Sequence, residues 1–224
     1  MKPTILRDQA TTPDGRPLTL HEHDGAFTIR VGGVELMSSR QHHSEERLAE
    51  LACAAIARRP RARVLVGGLG MGFTLRRCLA CLAADARVVV AELVPAVVRW
   101  NREPAYGLAA DSLADPRVDV VERDVVDVLR AEPRGFDAVI LDVDNGAEGL
   151  VAAGNDRLYS ARGLERLKAA LRPGGVLAVW STADDPAFVE RMRRAGFSTA
   201  VERARVHAAG GPSVSLLVGR LEIR

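Results

Sequence analysis

From Arg63 onward the chain alternates short apolar runs with amphipathic segments, and this alternation constrains the fold more than any other feature. The apolar runs are 64–66, 88–90, 118–121, 138–141 and 176–180, and helical periodicity marks 71–84, 94–103, 124–131, 161–171 and 186–195. Buried strands separated by helices are typical of a parallel, doubly wound α/β sheet. The last two apolar runs, 197–206 and 214–221, are joined by a link too short for a crossover helix. We therefore expect a Rossmann-like, mostly parallel sheet with an antiparallel strand at its C-terminal end.

The N-terminal segment has a different pattern. Between residues 17 and 37, three short strand-like runs are separated by Asp24-Gly25 and Gly32-Gly33, which are typical turn pairs. A helix is expected to follow, with Ser44 able to cap it. The sequence thus predicts an N-terminal β-strand meander over 1–42, a linking helix over 43–62 and a Rossmann-like domain over 63–224.

Composition narrows the classes of protein. The 224 residues are 47% hydrophobic and 27% charged, which excludes a disordered or fibrous chain. We find no apolar run long enough for a membrane span and no signal peptide, so we expect a cytoplasmic protein. Arginines alternate with acidic residues, which disfavours a nucleic-acid partner. Cys78 and Cys81 fall inside a predicted helix with no further ligands nearby, so we expect buried thiols and no metal site.

The sharpest motif is the glycine-rich turn that follows the first strand of the main sheet. Gly68, Gly70 and Gly72 form a G-x-G-x-G pattern, whereas dinucleotide-binding proteins carry G-x-G-x-x-G, and position 73 is Phe. Such a turn lets the backbone approach a nucleotide-like ligand. Glu92 follows about 20 residues later, at the end of the second strand, where a carboxylate can bind ribose hydroxyls. The motif indicates a nucleoside cofactor and argues against NAD.

Further carboxylates follow the next two strands. Asp124 comes after the third strand and Asp142 and Asp144 come after the fourth, so all three are expected at the same edge of the sheet. An acidic edge suits a cation. Asp124 can also be a helix cap, and Asp144-Asn145-Gly146 can also be a plain turn. Taken together, these residues indicate a sulfonium nucleoside.

These motifs resemble those of the class I S-adenosylmethionine-dependent transferases, and within them the spermidine synthases, or polyamine aminopropyltransferases. The resemblance covers most of the chain and rests on segments 44–46, 64–72, 91–93, 136–142, 158–160 and 171–176 together with Asp124. It implies that the glycine loop, Gly67, Gly68, Gly70 and Gly72, holds the sulfonium side chain. It further implies that Glu92, with Leu93 beside it, binds the ribose, that Asp124 and Val125 bind the adenine, and that Asp142 binds the reacting amine. A homodimer is also implied.

The sequence departs from the family pattern at three points. Gly70 stands where spermidine synthases carry an Asp that holds the amine of decarboxylated S-adenosylmethionine, Asn145 replaces the second Asp of D-x-x-D, and the usual Tyr before the linking helix is missing. Removing the anionic partner of a buried cation costs several kcal/mol. We therefore expect methyl transfer from S-adenosylmethionine to a small acceptor, an amine by the character of the edge, with aminopropyl transfer as the alternative.

Both reactions are in-line displacements at a carbon bonded to sulfonium, so the protein must align the acceptor and remove its proton. Asp142 is the candidate to accept that proton. Asp144 lies beside it in the sequence, and Tyr159 is a candidate to close the pocket. Tyr159 can equally be a core residue. Two other classes stay open: an NAD-dependent oxidoreductase, and a silent binding protein that has kept the fold.

Overall fold

The computed structural model describes residues 3–143, 156–207 and 210–222. Its N-terminal part is an antiparallel sheet of four strands in the order β1-β2-β3-β4. The strands are β1 (Ile5–Thr11), β2 (Pro17–His23), β3 (Ala26–Val31) and β4 (Val34–Ser38). The two predicted turns are present, because Asp24, Gly25, Gly32 and Gly33 all have positive φ. The predicted meander is therefore confirmed, with β1 as an additional strand.

The main sheet has seven strands. They are β5 (Arg63–Gly67), β6 (Arg87–Ala91), β7 (Val118–Val121), β8 (Phe136–Leu141), β9 (Leu171–Ser181), β10 (Phe197–His207) and β11 (Gly210–Leu221). Their order is β10-β11-β9-β8-β5-β6-β7. Strands β5 to β9 pair in parallel, and β11 runs antiparallel to both of its neighbours, β9 and β10. The predicted doubly wound sheet with an antiparallel C-terminal strand is confirmed.

Eight α-helices lie within the described residues. They are α1 (His43–Ala54), α2 (Phe73–Cys81), α3 (Pro95–Arg102), α4 (Ala110–Leu113), α5 (Val125–Ala131), α6 (Asp156–Tyr159), α7 (Ala161–Ala170) and α8 (Pro186–Arg194). One buried cluster joins the first three helices to the N-terminal sheet, and a second joins α5, α7 and α8 to the other face of the main sheet. The described helices include none long and apolar enough to cross a membrane.

Strand β9 begins earlier than the sequence predicts. Residues 172–175 separate the helix predicted over 161–171 from the strand predicted to start at 176, but they lie inside β9. The pairing of β8 with β9 shifts register there, from Phe136 opposite Leu171 to Ala138 opposite Val176. Strand β9 therefore has extra residues between its two paired stretches, as at a β-bulge, and its pairing with β8 continues on both sides of them.

A buried ionic cluster ties β8 to the segments around it. The side chain of Asp137 has no exposed surface and accepts hydrogen bonds from Arg59 Nη1 at 2.6 Å, from Arg172 Nη1 at 2.8 Å and from the backbone N–H of Arg63 at 2.8 Å. A buried carboxylate is stable only when its oxygens are paired in this way. The contacts hold β5, β8 and β9 together at the edge opposite the glycine loop.

Candidate active site

The glycine loop connects β5 to α2 and approaches the end of β8 closely. Gly68 has φ of +86°, and a Cβ at this position would collide with the backbone carbonyl oxygen of Asp142. A residue with any side chain would therefore push the ends of β5 and β8 apart. Gly70 has φ of +54°, and its carbonyl oxygen accepts a hydrogen bond from Asn101 Nδ2 at 2.7 Å. The loop is thus held in place by the end of β8 at Gly68 and by Asn101 at Gly70.

Glu92 connects the loop after β5 to the loop after β6. One carboxylate oxygen accepts the backbone N–H of Leu69 at 2.9 Å, and the other accepts the backbone N–H of Val94 at 2.8 Å. The side chain is only 7% exposed. A carboxylate oxygen can accept more than one hydrogen bond, so Glu92 is suited to meet a pair of hydroxyl groups while it keeps both loops in place.

Asp124 caps α5. Its Oδ1 accepts the backbone N–H of Val126 at 2.8 Å, as the capping interpretation expects. Asp124 and Val125 also line the same cavity as the glycine loop. Capping and ligand contact are therefore compatible at this residue.

A cavity of about 210 Å³ lies where these loops meet the N-terminal sheet. Its wall takes residues from the N-terminal sheet, from α1 and from the carboxyl ends of the parallel strands, which is where ligands bind in doubly wound sheets. The acidic residues in this wall, among those the structure describes, are Glu45, Glu92, Asp124 and Asp142. Trp180, Val206, Met37 and Leu36 are among the apolar residues.

Two carboxyl groups, Glu45 and Asp142, face the cavity and interact electrostatically. Burial, and after it the negative charge of Asp142, raises the pKa of Glu45 from 4.5 to about 7, although Ser44 Oγ donates a hydrogen bond to Glu45 Oε2 at 2.6 Å. Burial also raises the pKa of Asp142, against the lowering effect of a 2.6 Å hydrogen bond from Thr74 Oγ1. Because two ionised carboxylates repel each other, protonation of one member of this pair favours ionisation of the other.

The structure brings most of the predicted site residues to one place. Gly68, Gly70, Glu92, Leu93, Asp124, Val125 and Asp142 all line the cavity. Gly67 faces Val125 and Leu141, and Gly72 packs against Ala109. Neither Gly67 nor Gly72 is among the described lining residues, so their contribution is to the shape of the loop.

Tyr159, another predicted catalytic residue, is not among the described residues of the cavity wall. Tyr159 is buried in the core beside α8, with its ring edge-on to Phe188 at a centroid distance of 5.3 Å. This environment agrees with the core alternative for Tyr159. Asp144 and Asn145 lie outside the described residues.

Glu45 is a site residue that the sequence did not reveal. Its place at the start of α1 gives no such signal, because carboxylates are common in the first turn of helices. Its cavity position depends on contact between α1 and the end of β8, which lie far apart in the chain. One sequence signal was available: α1 directly precedes the strand that carries the glycine loop.

Cys78 agrees with the expectation of a buried thiol, whereas Cys81 is only partly buried. Cys78 lies in α2 against Cys53 of α1, with their Sγ atoms 3.8 Å apart. The hydrogen bond to Cys53, together with burial, raises the pKa of the Cys78 thiol. This environment disfavours the thiolate form that redox chemistry requires. No group of three or more potential metal ligands occurs within the described part of the chain.

The fold and the cavity define a class of protein. Its members have a Rossmann-like fold of the class I methyltransferase type, with a small N-terminal sheet beside the carboxyl ends of the parallel strands. Residues 41–192 match the family model described as the spermine/spermidine synthase domain. The chain belongs to the spermine/spermidine synthase family, which confirms the resemblance drawn from its motifs.

A curated relative agrees with this assignment, and solved structures agree with the fold. The polyamine aminopropyltransferase of Mycobacterium tuberculosis is 34% identical over 151 residues, which cover 66% of this chain and 27% of the relative, so the match spans about a quarter of the relative's length. Spermidine synthase from Thermotoga maritima superposes with a TM-score of 0.75 at 18% identity, covering 98% of this chain and 74% of that one. A 1,6-didemethyltoxoflavin-N1-methyltransferase from Burkholderia thailandensis superposes with a TM-score of 0.57 at 19% identity. The superposition covers 81% of this chain and 79% of that one. The two superpositions concern the fold alone.

Proposed function

We propose that this chain transfers an aminopropyl group from decarboxylated S-adenosylmethionine to an amine. The observation that carries the proposal is the pair of carboxyl groups, Glu45 and Asp142, in the same cavity as Glu92 and the glycine loop. A protonated amine is attracted by this pair and can give up a proton to it. Family membership supports aminopropyl transfer better than methyl transfer, which we expected first from the sequence.

The nucleoside end of the cavity fits such a donor. Glu92 is held by two backbone N–H groups and is placed to meet the ribose hydroxyls. Gly68 lines the cavity beside the end of β8. Asp124 and Val125, which the family resemblance assigns to the adenine, line the same cavity. These roles follow the family resemblance and agree with where each residue lies in the wall.

The acceptor end supplies acid–base chemistry. In the reaction, the nitrogen lone pair forms a bond to the carbon attached to sulfur, and the carbon–sulfur electron pair leaves with sulfur as a neutral thioether. The nitrogen must first lose a proton, and the Glu45–Asp142 pair can accept it because the pKa of Glu45, about 7, lies near neutral pH. Thr74 Oγ1 holds Asp142 Oδ2 at 2.6 Å and so fixes the direction of that carboxylate. The apolar wall around Trp180 keeps water away from the reacting carbon.

The test is a donor and product assay. The protein is incubated with decarboxylated S-adenosylmethionine or with S-adenosylmethionine, each with a panel of diamines and polyamines, and the products are identified by mass spectrometry. Aminopropyl transfer produces 5′-methylthioadenosine and an amine enlarged by one aminopropyl unit. Asp142→Asn should lower kcat/KM by about a hundredfold or more, as expected when a general base is lost. Asp127→Asn, at an exposed ion pair with Arg130 on α5, is the matched control and should leave kcat/KM unchanged.

A second candidate is methyl transfer from S-adenosylmethionine, and one observation favours it. At residue 70, where the family carries an Asp for the donor amine, the structure has a glycine, and the end of Met37 lies close to where a Cβ would be. Formation of S-adenosylhomocysteine in the assay, without 5′-methylthioadenosine, would establish methyl transfer. If neither donor binds, the chain is a silent member of the fold. The expected homodimer and cytoplasmic location stay predictions.

A further inference from the structure

Met37 fills the part of the cavity wall into which a side chain at residue 70 would point. An ideal Cβ built on Gly70 would lie 2.7 Å from Met37 Cε and 3.1 Å from Met37 Sδ. Carbon atoms in ordinary contact are about 3.5 to 4.0 Å apart. Both residues line the cavity. The tip of Met37 and a side chain at residue 70 therefore cannot occupy this place together.

Neighbouring elements hold both residues in position. Met37 lies in β4 opposite Ile29 of β3, and the carbonyl group of Gly70 is bound by Asn101. The φ of Gly70, +54°, is in the left-handed region, which Asp and Asn adopt more readily than other residues with a side chain. The backbone at residue 70 would thus accept an aspartate, and the occupant of the space is the flexible end of Met37.

The chemistry at this point differs for the two sulfonium donors. S-adenosylmethionine carries a carboxylate on the arm next to sulfur, and its decarboxylated form does not. A carboxylate at residue 70 would repel the first donor and attract the ammonium group of the second. The thioether of Met37 is uncharged and soft, so it packs against either arm without distinguishing them by charge.

We propose that the Gly70–Met37 contact sets donor specificity, so that the site binds S-adenosylmethionine and its decarboxylated form with similar affinity. The inference rests on the proposed use of a sulfonium donor. Met37 is then a specificity-determining residue, contributed to the donor site by the N-terminal sheet.

The experiment is calorimetric binding of both donors to the wild type, Met37→Ala, Gly70→Asp and the double variant. We expect wild-type affinities for the two donors within about tenfold of each other and a similar ratio in Met37→Ala. In the double variant the ratio should move toward the decarboxylated donor by about tenfold or more, the usual effect of one charge-assisted contact. Gly70→Asp alone should shift it less, because the Met37 side chain must first be displaced. Val34→Ala, at an exposed residue of β4, is the control and should leave the ratio as in the wild type.

Two results would overturn the inference: a wild-type preference of a hundredfold or more for one donor, or a double variant with the wild-type ratio. Failure of both donors to bind the wild type would instead refute the proposed function itself. Thermal melting of each variant shows whether it folds. If the Gly70 variants do not fold, Met37→Glu introduces the carboxylate from the opposite side of the contact and should produce the same shift.

Discussion

Replacing Glu45 by Gln should stabilise the protein at high pH while impairing catalysis. The pKa of Glu45 is raised from 4.5 to about 7 in the folded protein, chiefly by burial, so the folded state binds more protons than the unfolded state between these two values. The free energy of unfolding therefore falls as pH rises through this window, and below it Glu45 is protonated in both states and carries no penalty. A neutral Gln removes the penalty.

The size of the effect follows from the pKa shift. One pKa unit corresponds to about 1.4 kcal/mol, so the full shift would correspond to a little over 3 kcal/mol. Glu45 is only partly buried and is coupled to Asp142, so we expect about 1 to 2 kcal/mol. Urea unfolding at pH 5 and pH 8 should show Glu45→Gln gaining this amount at pH 8 and much less at pH 5.

Glu50 on the same helix is a control with the opposite sign. The hydrogen bond from Arg47 lowers the pKa of Glu50, so its contribution to stability is present above its unfolded pKa and is lost as pH falls. Glu50→Gln should therefore lose a few tenths of a kcal/mol at pH 8, the usual worth of an ion pair at a partly exposed site. If Glu45→Gln lost as much stability at pH 8 as Glu50→Gln, ionised Glu45 would not destabilise the folded protein, and the reasoning would be refuted.

Three further outcomes follow from the same contacts. In Glu45→Gln, the pH–rate profile of the proposed reaction should lose the change in rate near pH 7, because the group that titrates there is gone. If the rate still changed near pH 7 as in the wild type, the pairing of Glu45 with Asp142 would be contradicted. Thr74→Val removes the hydrogen bond that lowers the pKa of Asp142, so the profile should shift to higher pH, while a shift to lower pH would argue against this role. Asp137→Ala leaves two arginines and the N–H of Arg63 without their buried partner and should cost about 2 to 3 kcal/mol in urea unfolding, whereas a loss below about 0.5 kcal/mol would show that the cluster is dispensable.

The main sheet could be predicted because its signals are local. Each parallel strand is a short apolar run, and the need for glycine at residue 68 comes from a backbone approach that is common after the first strand of such sheets. Strand β1 was missed because most of Ile5–Thr11 is exposed and none of its residues is fully buried. Its strand conformation comes from pairing with β2, which no local pattern reports.

The chemistry of the site was only partly readable, since much of it depends on distant contacts. Glu92 and Asp142 were predictable from their places at strand ends. Glu45 and Met37 were not, because each acts on a partner brought close only by the tertiary fold, Asp142 in one case and Gly70 in the other. The sequence could show that the family's Asp is absent at residue 70. It could not show that Met37 takes up the space.

The cavity draws on all three predicted segments of the chain. Met37 comes from the meander of 1–42, Glu45 from the linking helix of 43–62, and Asp142 from the segment 63–224. The N-terminal sheet also shares one buried cluster with the helices α1 to α3. Because the proposed donor contact and the proposed proton acceptor both lie where these segments meet, any change that loosens the N-terminal sheet should affect donor binding and acceptor chemistry together. A substitution within the Rossmann-like part alone can affect one of them and spare the other.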